Sequence, residues 1–397
     1  MITERLTTKV EDKYEVAVCG GGVAGIAAAL AAARGGRKTV LFEKLYMLGG
    51  LGTAGLVTIY LPLCDGMGKQ VSFGIAEELL RLSISCGAES RYPENWLDGV
   101  GTKGENDDRF QVQYNPQIFA VLAEKLLTDN GVDIMYGTYV VSVNMEGDRI
   151  SHVVTENKSG RTAYSVSSVI DATGDCDIAH FAGVPTDTFG QGNILAAWYY
   201  SVGKDGYRLN TLGFSDIPDE ERVDGKGVEM LADRRFGGLD GREISEFVQL
   251  SHQSMFNDIM KRRETDSELI PVTVATFPQL RMTRKIIGDY VLSNTEEHTY
   301  FKDSIGMISN WKKRGPVYEV PFGTLYSSKV RNLITAGRCV SVNETMWDIM
   351  RVIPCCAVTG QAAGTAAALG DDFTQTDIER LQEALKNDGV VIHENEL

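Results

Sequence analysis

Gly20, Gly22 and Gly25 stand at G-x-G-x-x-G spacing, directly behind the β-rich run YEVAVCG and at the start of the helical run AGIAAALAAARGG. Glycines at such a strand-to-helix junction are chemistry for a diphosphate. Gly20 permits the tight turn, Gly22 lets the backbone approach the pyrophosphate, and Gly25 allows close helix packing. The first-turn amides, with Val23 and Ala24 among them, meet the phosphate charge. The next β-rich run, KTVLFEK, ends on Glu43 and Lys44, and Glu43 lies 23 residues after Gly20. A carboxylate there accepts hydrogen bonds from ribose hydroxyls and disfavours a 2′-phosphate, so NADP is a poor fit. A second match, Gly99 to Gly104, has no strand before it and no helix after it, and is set aside.

Other stretches add to this nucleotide chemistry. Gly49-Gly50-Leu51-Gly52-Thr53-Ala54-Gly55 is a loop whose amides can wrap a diphosphate and reach a ring system, with Gly49, Gly50 and Thr53 as the candidate contacts. Asp171-Ala172-Thr173-Gly174-Asp175 closes a strand with small residues that let the chain pass close to a nucleotide. Late in the chain, Pro354 opens a helix in which Gly360, Gly364 and Ala368 share one face, allowing close approach to the sheet or to a cofactor. That helix is equally well read as a tightly packed core helix.

For substrate chemistry the candidates are cationic. Arg281, Arg284 and Lys285 fall at helical spacing in LRMTRKIIGDY, where a cationic pair suits an anionic or polyhydroxyl substrate or forms a salt-bridged surface face. Arg351 immediately precedes the Pro354 helix, with Trp347 and Asp348 near enough to line the same pocket. Cys355 and Cys356 can have their thiol pKa lowered by a helix N-terminus, although buried cysteine usually behaves as a small hydrophobe. The seven cysteines include no C-x-x-C pair, and the five histidines are dispersed, so no metal site is expected.

The elements that must hold these residues follow from periodicity. Residues 14 to 43 read as a βαβ unit, FGIAEELLRLSI and PQIFAVLAEKLLTDNG as helices, and VDIMYGTYVVSVNME, ISHVVTEN and AYSVSSVIDATGD as strands. EISEFVQLSHQSMFNDIMKRRE and MTRKIIGDYVLS are predicted helices within a stretch richer in aromatics, charges and proline. NLITAG is then a strand, followed by the Pro354 helix and by a polar helix at DIERLQEALKNDG. The fold class expected is α/β: a Rossmann-type domain made of residues 1–184 and 326–397, with an α+β substrate domain inserted at 185–325. A net charge of −15 repels phosphate backbones and anionic lipid, no run approaches the length of a membrane span, and the N-terminus lacks an apolar leader. Nucleic acid and membrane are therefore not expected partners, and the chain is read as cytoplasmic.

In order, G-x-G-x-x-G, Glu43, GGLGTAG, IDATGD, LITAGR and GQAAGTAAAL resemble the FAD-dependent oxidoreductases of the glutathione-reductase-like superfamily, most of all a bacterial family known by that description. The resemblance covers the first fifty or so residues, 115 to 184 and 330 to 370, more weakly Arg281 to Tyr290. It implies FAD as cofactor, with contacts at Val140, Ala172, Thr173, Gly174, Gly337 and Arg338. It also implies that the Pro354 helix points at the flavin pyrimidine, making Ile353 to Ala357, Pro354 and Cys355 included, flavin neighbours. Arg351 matches an arginine of that family. Where many members carry Asp-x-His, this chain reads Ser309-Asn310-Trp311-Lys312-Lys313-Arg314, which weakens the case for a histidine base and for a shared proton-transfer mechanism.

The expectation is an FAD-dependent oxidoreductase that moves hydride between a small organic substrate and flavin N5, with Arg281, Arg284 and Arg351 as catalytic-site contacts. No second Rossmann unit is legible, so the electron acceptor or donor is left open among a second substrate, oxygen and another protein. An FAD-binding electron-transfer subunit and an NAD-binding thiazole-synthase-like enzyme are the alternatives, and the oligomeric state, homo-oligomer included, is undetermined.

Overall fold

The computed structural model describes residues 2–86, 111–213 and 230–397; the Gly99 to Gly104 match lies outside the described residues. At its centre is a seven-stranded sheet whose order runs Asp133–Met135, Thr39–Phe42, Lys9–Cys19, Gly160–Asp171, Arg149–Asn157, Tyr139–Glu146. The pairings from Asp133–Met135 across to Gly160–Asp171 are parallel, and the last two are antiparallel. The long Gly160–Asp171 strand has a divided edge. Its first half pairs with Arg149–Asn157, and its second half takes the short parallel strand Leu333–Thr335. One strand thereby joins two stretches of chain more than 150 residues apart.

Two helices lie against this sheet, Val23–Arg34 and Ile353–Leu369. Both are alanine- and glycine-rich, and they are buried along nearly their whole length, as helices apolar on every side must be. Their separation is set by missing side chains. A Cβ on Gly360 would sit 2.3 Å from the Ala24 carbonyl oxygen, and one on Gly364 would sit 2.2 Å from that of Ala28. Contact at that range brings both N-termini to the same edge of the sheet.

The second unit is a three-stranded antiparallel sheet of Gly206–Leu212, Ala197–Gly203 and Ile270–Val274 under the helix Gly241–Arg263. That helix buries only Phe247, Ser251 and Met255, a four-residue rhythm that gives one narrow contact stripe. Beyond it, Leu292, Ile305, Ile308, Tyr318, Val320, Phe322 and Leu325 belong to the same continuous core as the two alanine-rich helices.

The segment MTRKIIGDYVLS departs from expectation. It forms no helix; Arg284–Ile286 is a short strand antiparallel to Thr186–Thr188. The chain is drawn out because the Arg281 and Met282 amides both donate to Asn193 Oδ1, and because Gly288 packs where a Cβ would meet the Tyr326 and Gly323 carbonyls. Arg281, Arg284 and Lys285 therefore share no helical face. Among the described residues no single helix is long and apolar enough to cross a membrane, and the pair Glu344–Met350 and Ile353–Leu369 is bent by 89°.

Candidate functional site

A cavity of about 640 Å³ opens at the edge where the two helix N-termini meet, and it is lined from both units of the fold. Its first wall is the turn after Lys9–Cys19. Gly20 takes φ +104°, and a Cβ there would sit 2.5 Å from the Ala172 carbonyl oxygen. Gly22 differs, since nothing lies within 4 Å of an added Cβ and the backbone faces open space. Gly22 is also the N-cap of its helix, with no side-chain cap and no acid in the first turn. The other helix begins at the same cavity in the same state, with Val352 as an N-cap whose apolar side chain makes no capping hydrogen bond. The positive ends of two helix dipoles thus converge on one space without a protein counter-charge at either cap.

Glu43 closes the end of Thr39–Phe42. Its Oε2 accepts the Gly21 amide at 2.6 Å and its Oε1 the Leu45 amide at 2.7 Å. Burial pushes this carboxyl up from its ordinary value, with those amide bonds pulling the other way. Lys44, Thr138, Val140, Ala172, Thr173 and Gly174 continue this wall. Asp177 joins them, paired with Arg284 at 2.6 Å; burial and the neighbouring Asp175 and Asp171 raise its pKa to about 6.

The glycine loop after Glu43 is held from behind. Tyr114 donates its hydroxyl to the Gly52 carbonyl at 2.6 Å, and Gln279 donates to that of Gly55 at 2.7 Å. The amides of Thr276 and Phe277 both donate to Ala54, which ties the second unit to the loop. Arg338 makes the complementary tie: Nη1 reaches the Leu280 and Arg281 carbonyls at 2.6 and 3.1 Å, over a Gly174 whose Cβ would collide with the guanidinium.

The far part of the cavity is apolar and aromatic, with Leu51, Val57, Ile59, Leu61, Trp198 and Trp311 on its walls. Two cations enter it. Arg281 is buried, lies 5.0 Å from the Trp198 ring centre and donates to Gln279 Oε1. Arg351 is held along one edge by Asp348, through Nε at 2.8 Å and through Nη2, and Asp348 also receives Lys312.

Of the residues expected from sequence, Gly20, Gly22, Val23, Ala24, Glu43, Lys44, Gly50, Val140, Ala172, Thr173, Gly174, Gly337, Arg338, Arg281 and Arg351 come together on this cavity. Six others stand off its wall. Gly25 backs the Gly20 carbonyl, which a Cβ would meet at 1.8 Å, and Gly49 and Thr53 fold on each other inside the glycine loop. Arg284 is consumed by Asp177 and the Asp175 carbonyl. Pro354 is buried in the first helical turn, and the Cys355 thiol turns back to the Ile349 carbonyl, its pKa driven well up by burial.

Of the adjacent pair it is Cys356, not Cys355, that lines the wall, on the helix row it shares with Gly360 and Gly364, and burial raises its thiol to about 12, so it is no thiolate. Trp347 and Asp348 are fully buried behind Arg351 rather than in the pocket. Sequence reasoning missed Trp198, Phe277 and Trp311. Trp311 sits in the stretch that departs from the resembling family, and that departure was the available signal.

A family model described as FAD dependent oxidoreductase matches residues 15–197 and 238–385. Among solved structures, a geranylgeranyl bacteriochlorophyll reductase-like protein from Thermoplasma acidophilum is 14% identical, with 96% of this chain and 83% of that one covered and a TM-score of 0.43. The p-nitrophenol 4-monooxygenase of Pseudomonas putida is 12% identical, with 96% and 82% covered and a TM-score of 0.45. A flavoprotein/dehydrogenase from Cytophaga hutchinsonii is 13% identical, with 94% and 83% covered and a TM-score of 0.47. No curated protein matches the chain.

Proposed function

This chain belongs to the FAD dependent oxidoreductase family, an enzyme family whose cofactor is FAD, and from that premise we propose that it oxidises or reduces a small organic substrate by hydride transfer in the apolar part of the cavity. The residues present fit that cofactor. Two helix N-termini without side-chain caps, a Gly22 backbone open to the cavity and the Glu43 carboxylate are a diphosphate-and-ribose cradle built before any ligand arrives. In this reading Gly20, Gly22, Val23 and Ala24 hold the diphosphate, Glu43 the ribose, Val140 and Thr138 the adenine side, and Gly50, Gly52, Gly337 and Ile353 the flavin side.

FAD supplies reversible two-electron chemistry, and the protein's part is to bind, orient and keep water out. Trp198, Trp311, Ile59 and Leu61 desolvate the reacting region, and Arg281 and Arg351 orient a polar group of the substrate. We assign the FAD-binding domain to residues 1–184 and 326–397 and the inserted substrate domain to 185–325, whose last stretch, Leu292 to Leu325, shares the hydrophobic core of the first. The observation that carries the functional reading is the continuity of the nucleotide cradle with an aromatic chamber contributed by both units.

The test is anaerobic mixing of the purified holoprotein with panels of sugars, organic acids, amines and unsaturated acids while the visible flavin absorbance is followed. Bleaching or recovery with at least one compound is expected. A chromophore that stays as isolated throughout would count against a stand-alone enzyme.

A further inference from the structure

The chemistry of the substrate follows from how charge is distributed along the cavity. Its acidic wall residues, Glu43 and Asp177, both lie in the nucleotide half, engaged by the Gly21 amide and by Arg284 respectively. Among the described residues, the aromatic half has no carboxylate on its wall. What it has is two cations: Arg281, which lies over Trp198 and donates to Gln279, and Arg351, whose side chain is only 6% exposed and whose counter-ion, Asp348, is shared with Lys312. Nε and Nη2 are spent on Asp348, and among the described residues none accepts a hydrogen bond from Nη1.

A guanidinium locked along one edge and open along the other presents a planar, pre-oriented donor face at no further cost in side-chain entropy. Its neighbours decide the rest of the ligand. Trp311 is fixed by its own Nε1 bond to the Asp348 carbonyl at 2.9 Å, and its ring centre lies 5.9 Å from the Arg351 guanidinium carbon. Ile59, Leu61 and Ile353 complete a mainly apolar surface, to which Gln111 and Thr211 add neutral side-chain oxygens but no charge. An ammonium group meets the like charge of Arg351 there, whereas a carboxylate is complementary to it.

We infer that the substrate is a carboxylic acid with an apolar, planar body, its carboxylate received by Arg351 and its body laid against Trp311. This rests on the cavity being the substrate site of the proposed oxidoreductase, but its test needs no turnover. Benzoate, benzamide and acetate are titrated by calorimetry into the FAD-loaded full-length protein, its Arg351→Gln and Arg351→Lys variants, and Trp311→Leu. Flavin absorbance and far-ultraviolet dichroism report on cofactor retention and fold.

Benzoate is expected to bind at least about tenfold more tightly than benzamide, which lacks the charge, and than acetate, which lacks the body. Arg351→Gln removes the benzoate-over-benzamide preference and Arg351→Lys keeps part of it, while Trp311→Leu narrows the benzoate-over-acetate gap. Equal affinity for benzoate and benzamide, or no benzoate binding, overturns the inference. So does a folded Arg351→Gln protein that binds benzoate unchanged, because that places Arg351 against the cofactor instead. If Arg351→Gln does not fold, the three-ligand comparison on the unaltered protein still decides. Arg351-dependent benzoate binding without any bleaching by the metabolite panels would leave this inference standing and fail the enzyme reading; the reverse pattern would do the opposite.

Discussion

The helices among the described residues fall into two groups by how their N-termini are satisfied. Pro116–Asp129, Gly241–Arg263, Glu344–Met350 and Ile378–Asn387 each begin at an Asn or Asp whose side chain accepts first-turn amides: Asn115, Asp240, Asn343 and Asp377. Asp177–Phe181 borrows Asp171, whose Oδ2 takes the Ile178 and Ala179 amides, and Ile75–Ile84 borrows Gln361 from another helix. Val23–Arg34 and Ile353–Leu369 have neither device, although they are the most buried of the set. Capping contributes about 1 kcal/mol per helix, so two deeply buried helices without it forgo stability in the ligand-free protein. Both uncapped ends open on one cavity, and in the proposed reading the anionic cofactor would supply there what Asn or Asp supplies elsewhere.

The sharpest way to break this contrast is to cap a helix that has been left open. Gly22 already has φ −67° and ψ 179°, the extended geometry of an Asp N-cap, with free space for the side chain. Gly22→Asp is expected to raise the thermal midpoint of the FAD-free protein while weakening FAD by about a hundredfold or more, since a carboxylate then occupies the diphosphate position. Fluorimetric FAD titration beside thermal unfolding of the apoprotein reads both effects, and retained FAD affinity would refute the contrast.

Glu43→Gln tests the ribose end. The amide group of Gln offers a donor where the Gly21 or Leu45 amide needs an acceptor, so FAD affinity should fall roughly tenfold to a hundredfold by the same titration. Asn115→Ala, on a capped helix, should cost about 1 kcal/mol in urea unfolding and leave flavin content unchanged. A loss of flavin there would mean that the two groups of helices are not functionally separate.

The smallest effect concerns Asp177. Its folded pKa of about 6 lies above the ordinary 3.8, so the folded state holds the proton more tightly and the protein loses stability as pH rises between those values. Asp177→Asn should therefore compare more favourably with the unaltered protein at about pH 7.5 than at about pH 4 in apoprotein urea midpoints, by a few tenths of a kcal/mol given the side chain's partial exposure and lost Arg284 pair. A difference independent of pH would show that the carboxyl titrates normally.

Much of the nucleotide half was legible because its signals are local. Strand, glycine turn, helix and acid follow one another within residues 14 to 43, and each glycine's role is a property of the turn it occupies. The substrate half was less legible. Reading Arg281, Arg284 and Lys285 at helical spacing failed because Asn193, far earlier in the chain, pins the Arg281 and Met282 amides in an extended run. The choice between Cys355 and Cys356 had an overlooked signal, since Cys356 stands four residues before Gly360 on the row that faces the first helix.

The sequence by itself determined the βαβ unit, its glycine turn and the small-residue face that lets two helices touch, because these depend on periodicity and on where a Cβ can be accommodated. Only the tertiary structure decided that Arg338 and the glycine loop tie the inserted unit over the cavity, that Asp348 leaves Arg351 one open edge, and that Trp311 stands beside it. Those outcomes are contacts between residues distant along the chain, and no local spacing encodes which of several buried charges will meet.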